Sequence, residues 1–538
     1  MRDHNRASVL RGGDDRGRYP SPRSTVHGRA AVAASEPLAA SAGLLMLARG
    51  GNAVDAAIAT AACLAVTEPV SNGLGSDAFA LVWDGSGLHG LNASGRAPAA
   101  WTAERFRGRD EMPGRGWDTV TIPGAVSAWV ALSERFGRLP FADLLAPAAR
   151  IAREGYGVGA VTANSWRRQA EVLHRFSGFA ATFMPEGRAP REGEAFRMPG
   201  AADALELIAE TKGEAFYRGA IAQEIVTRSS AEGGAHTLAD FDAHHAQWVT
   251  PVSQRAFGVD VHEIPPNGQG IAALVALGIM DRLDLGDDPD APRAVHLAIE
   301  AVKAALADLY AHVADPAAMR VTPDEMLDPG YLDERARAID GTRASDPVTG
   351  LPRKGGTVIL TTADADGMMV SFIQSNYEGF GSGCVVERYG ISMQNRGSAF
   401  TLDPSHPNVV AHGKRPFHTI IPGFVTKDGA ALMAFGVMGG PIQAQGHAQL
   451  VARIVRFGQS VQTAIDAPRF RVLSGRRIAA ERHFPAATLE ALAGMGHLLD
   501  QDAPGVAFGF GGAQAILSLD GHYAAGSDPR KDGQAVVM

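Results

Sequence analysis

The sequence predicts an α+β protein of four layers, two β-sheets stacked face to face between two layers of helices. Two observations lead there. Helix-period and strand-period segments occur in both halves of the 538 residues, yet without the regular strand–helix–strand alternation that builds a parallel sheet. The chain is also too long for one simple core, so one large two-part domain or two intimately packed segments follows. The 63 glycines add that many turns are tight.

The N-terminal stretch MRDHNRASVLRGGDDRGRYP is highly charged and lacks the apolar segment of a secretory signal, so residues 1–20 are expected to be disordered. AAVAAS then reads as a strand and PLAASAGLLMLARG as a helix, with Pro37 early in it and Gly50 at its end. A second helix, AVDAAIATAACLAV, starts near Asn52, a suitable cap. Arg49, Asn52 and Asp55 interrupt the apolar run Leu44–Val66, which excludes a membrane-spanning helix there. The middle is mostly helical: WVALSERFGRLPFADLLAPAARIAREG, ADALELIAE and RAVHLAIEAVKAALADLYAHV carry apolar residues at helical spacing. On the last of these, His296, Glu300 and His312 invite a metal reading, but His296 and Glu300 are expected on a solvated face and no metal site is predicted. HEIPPNGQG, His262 to Gly270, ends a strand in a turn, and Asp340 to Lys354 reads as an exposed linker.

Strands dominate thereafter. Thr357 to Thr362 and Met368 to Gln374 form a hairpin about a turn at Asp364 to Gly367. GCVVERYG, ISMQNRG, HTIIPGFVTKDG and AALMAFGVMGG follow as strands, then a helix over Gln445 to Arg456 and a closing hairpin in FGGAQAILSLDGHYAAGSDPRKDG.

A net charge of −8 and a pI near 6.1, without a long basic run, argue against nucleic-acid and anionic-membrane partners. With only Cys63 and Cys384 there is neither a disulfide framework nor zinc-type spacing. A cytoplasmic protein without a cofactor is expected.

The chemistry centres on Thr357 in RKGGTVILTTADADG. If the Gly356–Thr357 bond breaks, the threonine gains a free α-amine beside its own hydroxyl, so base and nucleophile become one residue. An α-amine, with a pKa of about 7.7 to 8.0, is a far better neutral-pH base than a lysine at about 10.4. GVMGGP sets Gly439 and Gly440 after a strand, where two backbone N–H groups can converge on a developing oxyanion. GFGSG, Gly379 to Gly383, is no phosphate loop, since no Lys-Ser/Thr follows it.

TVILTTADADGMMVSFIQSNYEGFGSG, GGNAVDAA, SNGLGSDAFALVWD and the C-terminal hairpin together resemble the gamma-glutamyltransferase family of N-terminal-nucleophile hydrolases. That resemblance implies the αββα sandwich of the family. It implies a zymogen that cuts itself between Gly356 and Thr357 into a large segment, 21–356, and a small one, 357–538. It implies Thr357 as nucleophile, Ser375 as the hydroxyl that assists it, and Gly439 with Gly440 as the oxyanion hole. Substrate recognition departs from the family. Ser398 and Ala399 replace the acids that hold a glutamyl α-ammonium, Tyr377 replaces an asparagine, and His418 and Thr419 replace a serine pair. The arginine that grips the α-carboxylate aligns near Ser94, with Arg96 displaced by two positions, so Arg96 and Arg396 are the candidate carboxylate ligands. The chain looks similar to the oxamate amidohydrolase branch, with glutaryl-type acylases as a second relative. Hydrolysis of a small carboxylate-bearing amide is expected; the alternatives are a gamma-glutamyltransferase or glutathione hydrolase, and an unprocessed binding protein. The expected partners are that amide and the two segments of the precursor, with room for a higher oligomer.

Overall fold

The computed structural model describes residues 15, 17–347, 356–500 and 509–538. Two seven-stranded antiparallel sheets lie at its centre. The first runs, edge to edge, Val26–Gly28, Tyr523–Ser527, Gly512–Ser518, Ala430–Met438, Gly423–Lys427, Val259–Glu263 and Val252–Ala256. The second runs Gln534–Val537, Ala31–Ala34, Gly356–Ala363, Met369–Tyr377, Asp77–Trp83, Leu88–Asn92 and Gln247–Val249.

Strand alternation builds the layers, because successive side chains point to opposite faces. Ile359 joins Phe79, Leu81, Ile373, Phe424 and Ile516 between the sheets. Its neighbours Val358 and Leu360 face the other way, against the helices Pro37–Ala48, Ala53–Thr67 and Phe141–Glu154. On the far side Val425, Phe435 and Val437 meet the helices Gly270–Asp281, Pro292–His312 and Ile442–Val451. The architecture is the αββα sandwich that the sequence predicts. Among the described residues no helix is long and apolar enough to cross a membrane.

Local chemistry explains the helix starts. Asn52 and Asp55 form a reciprocal capping box, and Asp364 from the hairpin turn accepts a hydrogen bond from Ala53 N–H at 3.0 Å, tying that turn to the helix.

Several expectations need correction. GCVVERYG and ISMQNRG give only the two-residue strands Val385–Val386 and Ile391–Ser392, because 3₁₀ turns occupy Glu387–Tyr389 and Arg396–Ala399. The helix placed at Gln445 begins at Ile442. Of the N-terminal twenty residues, 1–14 and 16 lie outside the described residues. Tyr19 is buried, its hydroxyl donating to Asp290 Oδ2 at 2.6 Å. In the linker, 348–354 likewise lie outside the described residues, whereas Ala344 is buried and its N–H donates to Met495 O at 2.8 Å.

His296 and Glu300 are buried rather than solvated. Their partners come from distant segments: His296 Nδ1 meets His497 Nε2 at 2.8 Å, and Glu300 accepts from Lys303 Nζ at 2.8 Å and from Ser345 N–H at 3.0 Å. His296, Glu300 and His497 approach closely enough to share a cation. The Lys303 ammonium already supplies the positive charge beside Glu300.

The last hairpin is fixed by Asp528, which is fully buried and accepts from Arg469 Nη2 at 2.7 Å, Arg530 Nη1 at 3.1 Å and Ala513 N–H at 2.7 Å. Burial opposes its charge, but the two guanidiniums and the N–H donors win and draw its pKa down to about 2. The native pKa lies below the unfolded value of about 3.9, so the stabilisation is complete above that value and is lost as pH falls through about 2. Asp528→Asn should cost about 3 kcal/mol, the lower end for breaking a buried ion pair, in denaturant unfolding at pH 7. A loss under about 1 kcal/mol would mean that Arg469 finds another acceptor, since surface-like pairs are worth that little.

Candidate active site

Gly356 and Thr357 both lie in the strand Gly356–Ala363, in the middle of the second sheet. The register against Met369–Tyr377 shifts between Gly356 and Val358, so Thr357 stands at a β-bulge, a device that re-aims a side chain. Thr357 is fully buried. Its Oγ1 donates to Ser375 Oγ at 3.3 Å and accepts from Gln443 Nε2 at 3.1 Å. Ser375 Oγ in turn accepts from Tyr377 N–H at 2.8 Å.

Gly439 and Gly440 follow the first-sheet strand Ala430–Met438 and take φ values of +125° and +70°, a region that favours glycine. Neither N–H is taken by a backbone carbonyl among the described residues. The turn is held from behind, since Gly440 O accepts from Gln269 Nε2 at 2.9 Å and from Gln443 N–H at 3.0 Å. Gln443 thus touches both the hydroxyl of Thr357 and the glycine turn. A hydroxyl near two backbone N–H groups that no carbonyl takes among the described residues is what acyl transfer would require.

Close to Ser375 lies a buried cationic cluster. Arg396 is fully buried; its Nη1 donates to Thr419 Oγ1 at 2.8 Å, and its guanidinium lies 4.0 Å from the centre of the Tyr377 ring. Its Nε and Nη2 have no hydrogen-bond partner among the described residues. Burial pushes Arg396 down to about 10, with Tyr377 and Asp77 opposing that shift. Asp77, directly across the sheet from Ser375, accepts from His418 Nε2 at 3.1 Å and from Gly95 N–H at 3.1 Å. Burial raises Asp77 to about 7, against the pull of Arg396 and Arg415. His418 Nδ1 accepts from Ile420 N–H at 3.3 Å, which leaves Nε2–H to face the acid; burial, then Arg396 and Arg415, hold the ring neutral.

The remaining candidates divide. Ser398 is buried beside Arg396, its hydroxyl donating to Asn395 O at 2.8 Å. Arg96 is not drawn in: its side chain is 44% exposed, donates to Gly413 O at 2.9 Å and faces Asp315 at 3.5 Å. A cation does reach the neighbourhood of Ser94, but it comes from Arg415, which is buried and donates from Nε to Ser94 O at 2.9 Å. Asp77, Arg415, Gln269 and Gln443 were missed. Asp77 alone carried a signal, a charge heading the otherwise apolar strand Asp77–Trp83.

Three comparisons bear on this constellation. Residues 39–538 match the family described as Gamma-glutamyltranspeptidase. The chain is 36% identical to the glutathione hydrolase-like YwrD proenzyme of Bacillus subtilis, covering 96% of this chain and 99% of that one. It is also 36% identical to the oxamate amidohydrolase proenzyme of Klebsiella pneumoniae, again over 96% and 99%. Among solved structures it is similar to cephalosporin acylase from Bacillus halodurans, with a TM-score of 0.93 and 44% identity over 98% of this chain and 99% of the other. The likeness runs over nearly the whole chain. This chain belongs to the gamma-glutamyltranspeptidase family of N-terminal-nucleophile hydrolases.

Proposed function

We propose that this self-processing amidohydrolase cuts its own Gly356–Thr357 bond and then hydrolyses, through an ester on Thr357, a small amide that carries a carboxylate and no α-ammonium. The relatives named as proenzymes support the self-cleavage. The observation that carries the substrate class is Arg396, fully buried with two nitrogens left without partners among the described residues. A buried, unsatisfied charged donor is costly, and a substrate carboxylate in forked contact with Nε and Nη2 offsets that cost.

The arrangement of charges points the same way. Asp77 and Glu378 act on Arg396 and Asp315 and Asp77 on Arg415, while His418 is neutral; none of these carboxylates hydrogen-bonds Arg396 Nε or Nη2 among the described residues, which leaves those donors for an incoming anion. A γ-glutamyl substrate would also need an acid for its α-ammonium. Asp77 is committed to His418 and Gly95, and Glu378 to Arg115 at 3.1 Å. Oxamate and glutaryl-type amides both carry a carboxylate and no α-ammonium, in keeping with the similarity to an oxamate amidohydrolase and a cephalosporin acylase.

Four outcomes test this reading. Thr357→Ala should leave one full-length chain on denaturing electrophoresis, and cleavage of that variant at the same bond would refute the assignment of the nucleophile. Ser375→Ala should lower kcat more than it changes KM, because support of the Thr357 hydroxyl counts chiefly in the transition state; a raised KM at normal kcat would make Ser375 a binding residue. In a panel of oxamate, a glutaryl-amide and glutathione, kcat/KM should be highest for an acyl group lacking the ammonium. Arg396→Ala should then raise KM roughly ten- to a hundredfold, the value of one charge-assisted hydrogen bond. Glutathione preferred by tenfold or more would favour a glutathione hydrolase instead.

A further inference from the structure

We infer that Gln443 is a catalytic residue: its side-chain amide is a fixed hydrogen-bond donor to Thr357 Oγ1, serving the charge on the nucleophile rather than the charge on the carbonyl oxygen. The inference rests on Thr357 as nucleophile and goes beyond that reading in naming a separate donor for the hydroxyl.

The orientation of the amide is settled by its other end. Gln443 Oε1 accepts from Ile421 N–H at 3.1 Å, and a backbone N–H can only donate, so the group facing Thr357 Oγ1 at 3.1 Å is the NH₂. Both side chains are fully buried. Because Gln443 donates, the proton of Thr357 cannot point toward it and is directed to Ser375 Oγ. The hydroxyl therefore enters the reaction with one donor already aimed at its oxygen and its own proton on the opposite side.

That arrangement matters twice in turnover. In acylation the Oγ–C bond forms while the Oγ proton passes to the freed α-amine. The C–N bond of the amide then breaks and the proton leaves on the departing amine. In deacylation water adds to the acyl carbon and gives a proton to the α-amine, after which the C–Oγ bond breaks and Oγ takes the proton back. Negative charge gathers on Oγ as that bond forms and again as it breaks, and in a buried site a preset donor stabilises it without reorganisation. The two glycines serve the other oxygen. The Gln443 contact exists with Gly356 and Thr357 in one strand, so it is also available to self-cleavage, before any free amine exists.

Gln443→Glu separates the two contacts. It keeps an acceptor for Ile421 N–H but, when ionised, has no proton to give to Thr357 Oγ1. Its expected effect is slower self-cleavage and a roughly hundredfold lower kcat with KM little changed, the scale seen when one transition-state donor is removed. The ratio of variant to wild-type kcat should rise as pH is lowered, because a protonated glutamic acid can donate again. Unchanged kcat, a change confined to KM, or a ratio independent of pH would each overturn the inference. Should Gln443→Glu fail to fold, Gln443→Ala gives the same kcat-against-KM comparison, and a raised KM at normal kcat would overturn it. Thr357→Ala run alongside keeps the two readings apart: if it still self-cleaves, the nucleophile assignment fails, whereas an inert Thr357→Ala beside a fully active Gln443→Glu defeats this inference alone.

Discussion

The site depends on the face-to-face packing of two sheets. Thr357 belongs to one, while Gly439, Gly440 and Gln443 follow a strand of the other. Sheets stacked through side chains lie about 10 Å apart, a spacing set by the residues between them. Here those residues include Ile359, Ile373, Phe424 and Ile516, with Ile359 two positions from the nucleophile. Gly423 and Gly436 mark places where bulk is excluded, since an added Cβ would meet the Phe435 ring at 2.4 Å and Ile359 Cδ1 at 2.6 Å respectively. Core packing and the geometry of the candidate site are thus one constraint, and a change in the inter-sheet layer moves Thr357 and the glycine turn relative to each other.

The same sandwich explains how a cut chain stays whole. In the second sheet Gly356–Ala363 pairs with Ala31–Ala34 on one side and with Met369–Tyr377 on the other, and Met369–Tyr377 pairs with Asp77–Trp83. Gln534–Val537 adds to the far side of Ala31–Ala34. Strands from before and after Gly356 are therefore interleaved, and breaking the Gly356–Thr357 bond leaves the ladders from Val358 onward in place. In the first sheet Tyr523–Ser527 pairs with Val26–Gly28, and Gly423–Lys427 with Val259–Glu263. Each sheet is stitched from both segments, so separating them would expose the whole inter-sheet core.

What could be read from the chain was what local rules encode. The hairpin after Thr357, the helix starts at Pro37 and Asn52, and the glycine pair after an apolar strand are short-range signals. The pocket is long-range and was only half legible. Arg396 was among the candidates, but its burial against Tyr377 and Thr419 needs three separate segments, a strand end, a 3₁₀ turn and a loop, in one place. Arg415 went unread because nothing near it in sequence shows that it reaches Ser94. His296 and Glu300 were misplaced for the same reason: helical spacing gives a face, whereas the partner that buries His296 is His497, 201 residues further along the chain.

The electrostatics of the pocket then follow from what folding has left unbalanced. Burying Arg396 costs desolvation, and the structure offsets it only in part, through one hydroxyl, an aromatic face and the field of Asp77. A second acid close to Arg396 would complete the balance and stabilise the empty enzyme. It would also occupy Nε and Nη2, and a substrate carboxylate would then have to displace it. With serine and alanine at 398 and 399, the guanidinium keeps two donors directed at no protein group among the described residues. The acids that could hold an ammonium and the acids that would neutralise Arg396 are the same groups. With no such acid bonded to it, Arg396 remains an incompletely satisfied cation in the folded protein.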